Sequence, residues 1–192
     1  RVLQALRAVP RENFLADELK RRAYENRPQS IECGQTISQP LIVGMMTEAL
    51  QLPPDGKALE IGTGSGYGAA ILAEINAEVF TIERHQQLAD QARMRLQQAG
   101  YHNVHVRLGD GTLGWPEEAP FDGIVVTAAG PQVPESLKKQ LKIGGHLVIP
   151  VGNDAAHQSL ICITRETTAR FRESDLGPVR FVPLIGEEAW SE

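Results

Sequence analysis

The sequence predicts an α/β fold: a doubly wound, mostly parallel sheet with antiparallel strands at its carboxyl end and a small helical cap at its amino end. Three observations predict it. The length of 192 residues suits one domain, at ~100–200 residues per domain. From residue 57 onward, short apolar runs alternate with segments of helical periodicity, the pattern of a parallel sheet covered on both faces. After residue 157 two strand-like runs follow with no helix between them, and strands joined by a short turn run antiparallel.

Each element has its own signal. Val2, Leu3, Leu6, Phe14, Leu15 and Leu19 recur at helical spacing through residues 1–27, which predicts the cap helices; Lys20–Arg22 reads as a solvated helix face. Residues 28–40 are rich in Gly, Pro, Ser, Thr and Gln and read as a loop. Pro40 suits the first position of a helix running to about Leu50, and Pro53-Pro54-Asp55-Gly56 then breaks the chain. Strands are expected at Lys57–Ile61, Glu78–Ile82, Val104–Leu108, Phe121–Thr127, His146–Val151, Gln158–Thr164 and Arg170–Val182. Helices are expected at Tyr67–Ile75, His85–Gln98, ended by Gly100, and Pro134–Leu141. Ile143-Gly144-Gly145 reads as a turn into the fifth strand. The parts are a cap with its loop (1–52), an α/β core (53–152) and C-terminal strands (153–192), all in one domain.

Composition narrows the function. Nineteen Lys and Arg against 24 Asp and Glu give a net charge of −5. That argues against a nucleic-acid backbone or an anionic membrane surface as partner. No apolar run approaches the ~18 residues of a membrane helix, and no signal peptide opens the chain. Cys33 and Cys162 stand in no metal or redox spacing, so a reducing compartment is expected; an acidic single domain is expected to be a cytoplasmic monomer. The chain opens on Arg1 rather than Met, from which a missing N-terminal stretch is expected.

The most informative segment is Glu60-Ile61-Gly62-Thr63-Gly64-Ser65-Gly66, set between a strand and a helix. Glycines there permit a tight turn and close approach of a ligand to the backbone. Glu83 follows 21 residues after Gly62, at the tip of the next strand, where a carboxylate accepts from ribose hydroxyls. A nucleoside-containing cofactor is therefore expected. The dinucleotide pattern fits poorly: its third small position falls on Tyr67 when counted from Gly62, and on Ala69, which passes formally but shifts the turn, when counted from Gly64. Glu60 beside the glycines also disfavours a pyrophosphate and tolerates a cationic ligand. Asp110 between Gly109 and Gly111 is either an adenine acceptor or a plain Asp-Gly turn. Small residues at Thr127-Ala128-Ala129, at the end of the fourth strand, leave room for a ligand.

The pattern E-x-G-x-G-x-G resembles the first motif of S-adenosylmethionine-dependent methyltransferases, of Rossmann-like fold. Gly34–Pro40 (GQTISQP), Leu59–Tyr67 (LEIGTGSGY), Ala119–Asp122 (APFD), Leu147–Gly152 (LVIPVG) and Arg180–Leu184 (RFVPL) together are similar to the protein-L-isoaspartate O-methyltransferase family. The resemblance spans roughly residues 8–186; Leu41 and Gly130 depart from the family's pattern. It implies methylation of the free carboxylate of L-isoaspartyl residues, and weakly of D-aspartyl residues, in age-damaged proteins and peptides. The ester then collapses to a succinimide, which begins repair. The resemblance assigns the active-site role to Ser38. It assigns cofactor contacts to Gln35, Thr36, Ile37, Gly62, Thr63, Gly64, Ser65, Glu83, Arg84, Asp110, Gly111 and Thr127. Ser38, Val182, Pro183 and Leu184 fall to the substrate. The cofactor is S-adenosyl-L-methionine, the product S-adenosyl-L-homocysteine, and no metal is expected. The alternative is a related enzyme that methylates an unmodified Asp in a dedicated peptide to form a cyclic imide.

The residues agree with that chemistry. A carboxylate acceptor is ionised at neutral pH and needs no general base, so position and desolvation suffice. The five histidines, at 85, 102, 105, 146 and 157, form no metal spacing and read as surface or turn residues. Ser38 lies in no nucleophile elbow. It is read as a donor that orients the carboxylate, with helix N-capping at Pro40 as the other use of its hydroxyl.

Overall fold

The computed structural model describes residues 1–75, 78–154 and 156–191. The cap is less helical than its periodicity predicts. Helix α1 covers only Val2–Ala8. Pro10, which lacks a backbone donor, ends the helical ladder, and two 3-10 turns follow at Arg11–Phe14 and Asp17–Arg22. Lys20 and Arg22 are exposed and pair with Asp17 and Glu25. The expected loop at 28–40 is partly ordered as a hairpin. Strand β1 (Gln29–Ser30) pairs antiparallel with β2 (Thr36–Ile37), and Cys33 takes φ 56° in the turn between them. Helix α2 (Pro40–Ala49) begins on Pro40 as its sequence dictates, but its N-cap is Gln39, with no side-chain capping bond. The capping alternative for Ser38 is thereby removed.

The remaining elements are β3 (Lys57–Ile61), α3 (Tyr67–Glu74), β4 (Glu78–Glu83), α4 (Gln86–Gln98), β5 (Val104–Leu108), β6 (Phe121–Val126), α5 (Glu135–Gln140), β7 (Leu141–Val151), β8 (Gln158–Arg165) and β9 (Phe171–Val179). The sheet order is β5-β4-β3-β6-β7-β8-β9. The first five strands are parallel; β8 and β9 join antiparallel. The turn expected at 143–145 lies within β7 as a register shift, where Gly144 takes φ 84°. A Cβ on Gly145 would stand 2.7 Å from the Asp122 carbonyl oxygen.

Alternation along the strands feeds two cores. Ala58, Val79, Val125, Val148 and Leu160 pack with α2, α3, α4 and the cap; Leu59, Ile61, Phe80, Ile82, Ile124, Leu147 and Ile161 pack with Leu137, Trp115 and Leu184. His146 is a half-buried strand residue whose ring meets the Thr164 hydroxyl at 3.2 Å, rather than a surface or turn residue. Strand β3 pairs with β4 on one side and β6 on the other. The crossovers therefore diverge at their carboxyl ends, and the crevice opens there, where ligands bind in such sheets.

Candidate functional site

The turn leaving β3 is shaped by glycines that no other residue would replace freely. Gly62, Gly64 and Gly66 take φ of 92°, 53° and 92°, values at which a side chain is strained. A Cβ on Gly62 would also stand 2.4 Å from Thr127 Oγ1. That hydroxyl donates at 3.0 Å to the Ile61 carbonyl and at 2.8 Å to the Gly62 carbonyl, tying the end of β6 to the turn. Glu83, 4% exposed, braces the turn from β4. Its Oε2 accepts from the Gly64 amide at 2.8 Å and its Oε1 from the His85 amide at 3.0 Å. Each oxygen keeps capacity for a further donor.

A cavity lies above this turn, at the carboxyl ends of β3, β4 and β6. Gln35, Thr36, Gly62, Gly64, Glu83, Arg84, Gly111, Thr127, Val182, Pro183 and Leu184 line it, with Ile61, Ile82, His85, Ala128 and Ile185. The hairpin closes one side: Glu32 faces Arg95 of α4 at 3.9 Å, and Ile31 approaches the Gly64 turn. The stretch after β9 closes the other. Ala129 N donates to the Val182 carbonyl and Leu184 N to the Ala129 carbonyl, both at 2.8 Å. A second groove adjoins, lined by Pro28, Thr36, Ser38, Gln39, Ile42 and Pro178–Pro183. The two share Thr36, Val182 and Pro183. Gln158, buried beneath, holds Phe181 from both sides, donating to its carbonyl at 3.2 Å and accepting from its amide at 2.7 Å.

Four residues assigned by resemblance to cofactor contact do not line the cavity. Ile37 is buried in the cap core. Thr63 and Ser65 are buried under the turn, Thr63 bonded to the Thr81 hydroxyl at 2.6 Å and Ser65 Oγ to the Tyr67 amide at 3.3 Å. Asp110 caps the turn Gly111–Leu113: Oδ1 takes the Thr112 amide and hydroxyl, and Oδ2 takes the Glu187 amide at 2.8 Å.

Glu60 also departs from its sequence reading. It is 1% exposed and lies beneath the turn. Thr81 Oγ1 donates to it at 2.7 Å, and its Oε1 fits only because residue 68 is glycine. Burial pushes its pKa up to about 8, against the Thr81 bond and with help from the Glu83 charge. At neutral pH it is therefore largely uncharged and neither repels an anion nor attracts a cation.

Sequence reasoning did not single out His85, Gln158 or Ile185. His85 Nε2 is buried with no hydrogen-bond partner, and the residue lines the cavity. Its only sequence signal is its place two residues after Glu83. No group of three metal-ligating side chains occurs among the described residues. The site thus offers a braced carboxylate, an orphaned ring nitrogen and a turn free of side chains. Those features suit the hydroxyls and amino groups of a nucleoside.

Comparison with known proteins agrees. A family model described as Protein-L-isoaspartate(D-aspartate) O-methyltransferase matches residues 1–189. Protein-L-isoaspartate O-methyltransferase 2 of Marinobacter nauticus is 55% identical over 190 residues, covering 99% of this chain and 87% of its own. The protein-L-isoaspartate O-methyltransferase of Rhodopseudomonas palustris is 55% identical over 192 residues, covering 100% of this chain and 88% of its own. A solved protein-L-isoaspartate O-methyltransferase superposes with TM-score 0.89 at 27% identity; the match covers 98% of this chain and 62% of that one. A Plasmodium falciparum structure named for the same activity, in complex with S-adenosyl-L-homocysteine, superposes with TM-score 0.83 at 25% identity, over 96% of this chain and 89% of that one.

Proposed function

The chain belongs to the protein-L-isoaspartate(D-aspartate) O-methyltransferase family, and from that membership we propose that it methylates the free carboxylate of L-isoaspartyl residues, using S-adenosyl-L-methionine. The observation that carries the reading is that the glycine-turn cavity and the groove beside Ser38 share Thr36, Val182 and Pro183. A nucleoside-bearing methyl donor in the first would face a peptide carboxylate in the second.

The division of labour follows. Bound S-adenosyl-L-methionine supplies a methyl group on positive sulfur, which in-line attack by a carboxylate oxygen transfers, leaving S-adenosyl-L-homocysteine. Glu83 accepts from the ribose hydroxyls with the capacity its two amide bonds leave. Gly111 serves the adenine end, with Asp110 fixing its turn from outside the cavity, and His85 Nε2 gains a partner there. Gln35–Ser38 close the cavity, with Ser38 donating to the acceptor carboxylate. Val182–Leu184 face the peptide. No side chain moves a proton, because the acceptor is already ionised at neutral pH; the enzyme contributes orientation and a partly dry site. D-aspartyl residues are weaker substrates. The ester closes to a succinimide without enzymatic help, as the adjoining backbone nitrogen attacks the ester carbonyl and methanol leaves; hydrolysis of the ring returns some normal aspartate, so the outcome is repair. The partners are age-damaged proteins. With net charge −5 and no helix among the described residues long and apolar enough to cross a membrane, we take the enzyme to be a cytoplasmic monomer without nucleic-acid or membrane partners.

Two peptides differing only in isoaspartate against aspartate, incubated with methyl-labelled S-adenosyl-L-methionine, test the reading. Base-labile label on the isoaspartyl peptide alone is expected. Label on the aspartyl peptide, or on neither while S-adenosyl-L-homocysteine still binds, would move the acceptor to a dedicated peptide. A second expectation concerns Glu83. Glu83→Ala should weaken S-adenosyl-L-homocysteine by about 1–3 kcal/mol in calorimetry, the cost of lost charged hydrogen bonds. Unchanged affinity would place the ribose elsewhere.

A further inference from the structure

Among the described residues, Arg11 is the one strongly basic side chain that the core swallows whole, at 0% exposure. It sits in the 3-10 turn after Pro10. Its Nε donates to the Ala23 carbonyl at 2.7 Å and its Nη2 to the Ser38 carbonyl at 2.8 Å. Its guanidinium carbon stands 4.8 Å from the centre of the Tyr67 ring, and its Nη1 is buried without a partner. The ionisable groups acting on it are Tyr67 and Tyr24, not a carboxylate. A buried cation without a counter-ion is expensive, and apolar side chains of similar volume commonly fill such places at lower cost. Stability alone therefore does not account for an arginine here.

Its contacts do. Ala23 and Ser38 stand at the two ends of the segment that carries the β1–β2 hairpin and the Gln35–Ser38 stretch. Tyr67 is the first residue of α3, directly after the glycine turn. A guanidinium is a rigid fork that reaches two carbonyls at once while stacking on a ring. Building on the methyl-transfer reading, we propose that Arg11 is a positioning residue: it clamps both ends of the hairpin segment against the helix that follows the glycine turn. Ser38 in the groove is thereby held at a fixed distance from the cofactor cavity. Arg11 touches neither substrate nor cofactor; it acts through the Ser38 backbone.

Arg11→Lys keeps the charge and loses the fork, so it is the primary variant; Arg11→Met also removes the charge. Misplacement of reacting groups by about 1 Å costs about 10²-fold, so kcat on the isoaspartyl peptide should fall about tenfold for Lys and about 100-fold for Met. The Kd for S-adenosyl-L-homocysteine should rise by no more than about threefold, through the loosened Gln35 and Thr36 that line the cavity, and so by less than kcat falls, since Glu83 and the glycine turn are untouched. In a Ser38→Ala background the loss caused by Arg11→Lys should shrink to less than about threefold, the non-additivity of two residues acting as one unit. Amide hydrogen exchange across residues 29–37 should quicken by about tenfold in Arg11→Lys, with α3 unchanged, a readout that needs no activity. Wild-type kcat and exchange in Arg11→Lys, or losses that multiply in the double variant, would overturn the clamp. Should Arg11→Met fail to fold, the Lys variant decides alone. Failure of the wild-type enzyme on the isoaspartyl peptide would reject the functional reading instead, and the exchange measurement would still judge the clamp.

Discussion

Glu60→Gln is expected to abolish much of the fall in folding stability between about pH 5 and pH 8. The carboxyl is buried, with a pKa of about 8 in the folded protein against 4.5 for an exposed glutamate. Below pH 4.5 both folded and unfolded chains hold the proton, and the group contributes no pH dependence. Between the two values the unfolded chain has released its proton while the folded one keeps it. Folding then takes up a proton, and stability falls as pH rises. Above the folded value the penalty levels off. A shift from 4.5 to about 8 corresponds to about 5 kcal/mol in all, at about 1.4 kcal/mol per unit. Glutamine accepts from Thr81 as the protonated acid does, but carries no titration. Urea denaturation at pH 5, 6.5 and 8 reads the effect: the two proteins should be within about 1 kcal/mol at pH 5, with the variant ahead by about 2–4 kcal/mol at pH 8. Parallel pH profiles for the two proteins would mean that Glu60 is ionised in the fold.

Gly62→Ala is expected to remove cofactor binding and to destabilise the chain by about 2–3 kcal/mol. Two separate terms add. A side chain at φ 92° costs about 1–2 kcal/mol in backbone strain. The new methyl would also stand 2.4 Å from Thr127 Oγ1, displacing a hydroxyl whose single proton is shared between two carbonyls, worth about 1 kcal/mol in all. Since Thr127 and the turn both line the cavity, the displacement reaches the ligand. Gly64→Ala is the internal control: its Cβ would meet only Ile31 Cδ1 at 3.4 Å, so backbone strain of about 1–2 kcal/mol is the main term. Thermal melts and titration with S-adenosyl-L-homocysteine separate the two. Equal behaviour of the two variants would show that Thr127 does not brace the turn.

These two positions also show what local sequence can and cannot report. The glycines were legible because their requirement is local: a strand running into a helix needs a tight turn, and glycine is the residue that takes positive φ without strain. Glu83 was legible for a related reason, since the length of one strand–helix–strand unit fixes its distance from the turn it braces. The charge state of Glu60 was not legible, because it depends on what covers the carboxyl, and Thr81 comes from another strand. The cap was read as helices, where only Val2–Ala8 is α-helical, because helical spacing survives in a chain that Pro10 diverts into 3-10 turns. Ser38 looked like a helix cap by its position beside Pro40, yet the cap is Gln39 and Ser38 lines the groove.

By itself, then, the sequence determined the strand and helix order, the alternation that sends successive strand residues to opposite cores, the glycine turn and the acid that follows it. All of these arise from spacing within some twenty residues, where backbone geometry leaves few choices. Only the tertiary structure decided which side chains meet across the chain. It set Asp110 under the Glu187 amide, Gln158 around Phe181, Thr127 against Gly62 and Arg11 between Ala23, Ser38 and Tyr67. Such contacts join residues up to 77 positions apart; burial and hydrogen-bond satisfaction select them, and neither is a property of a local segment.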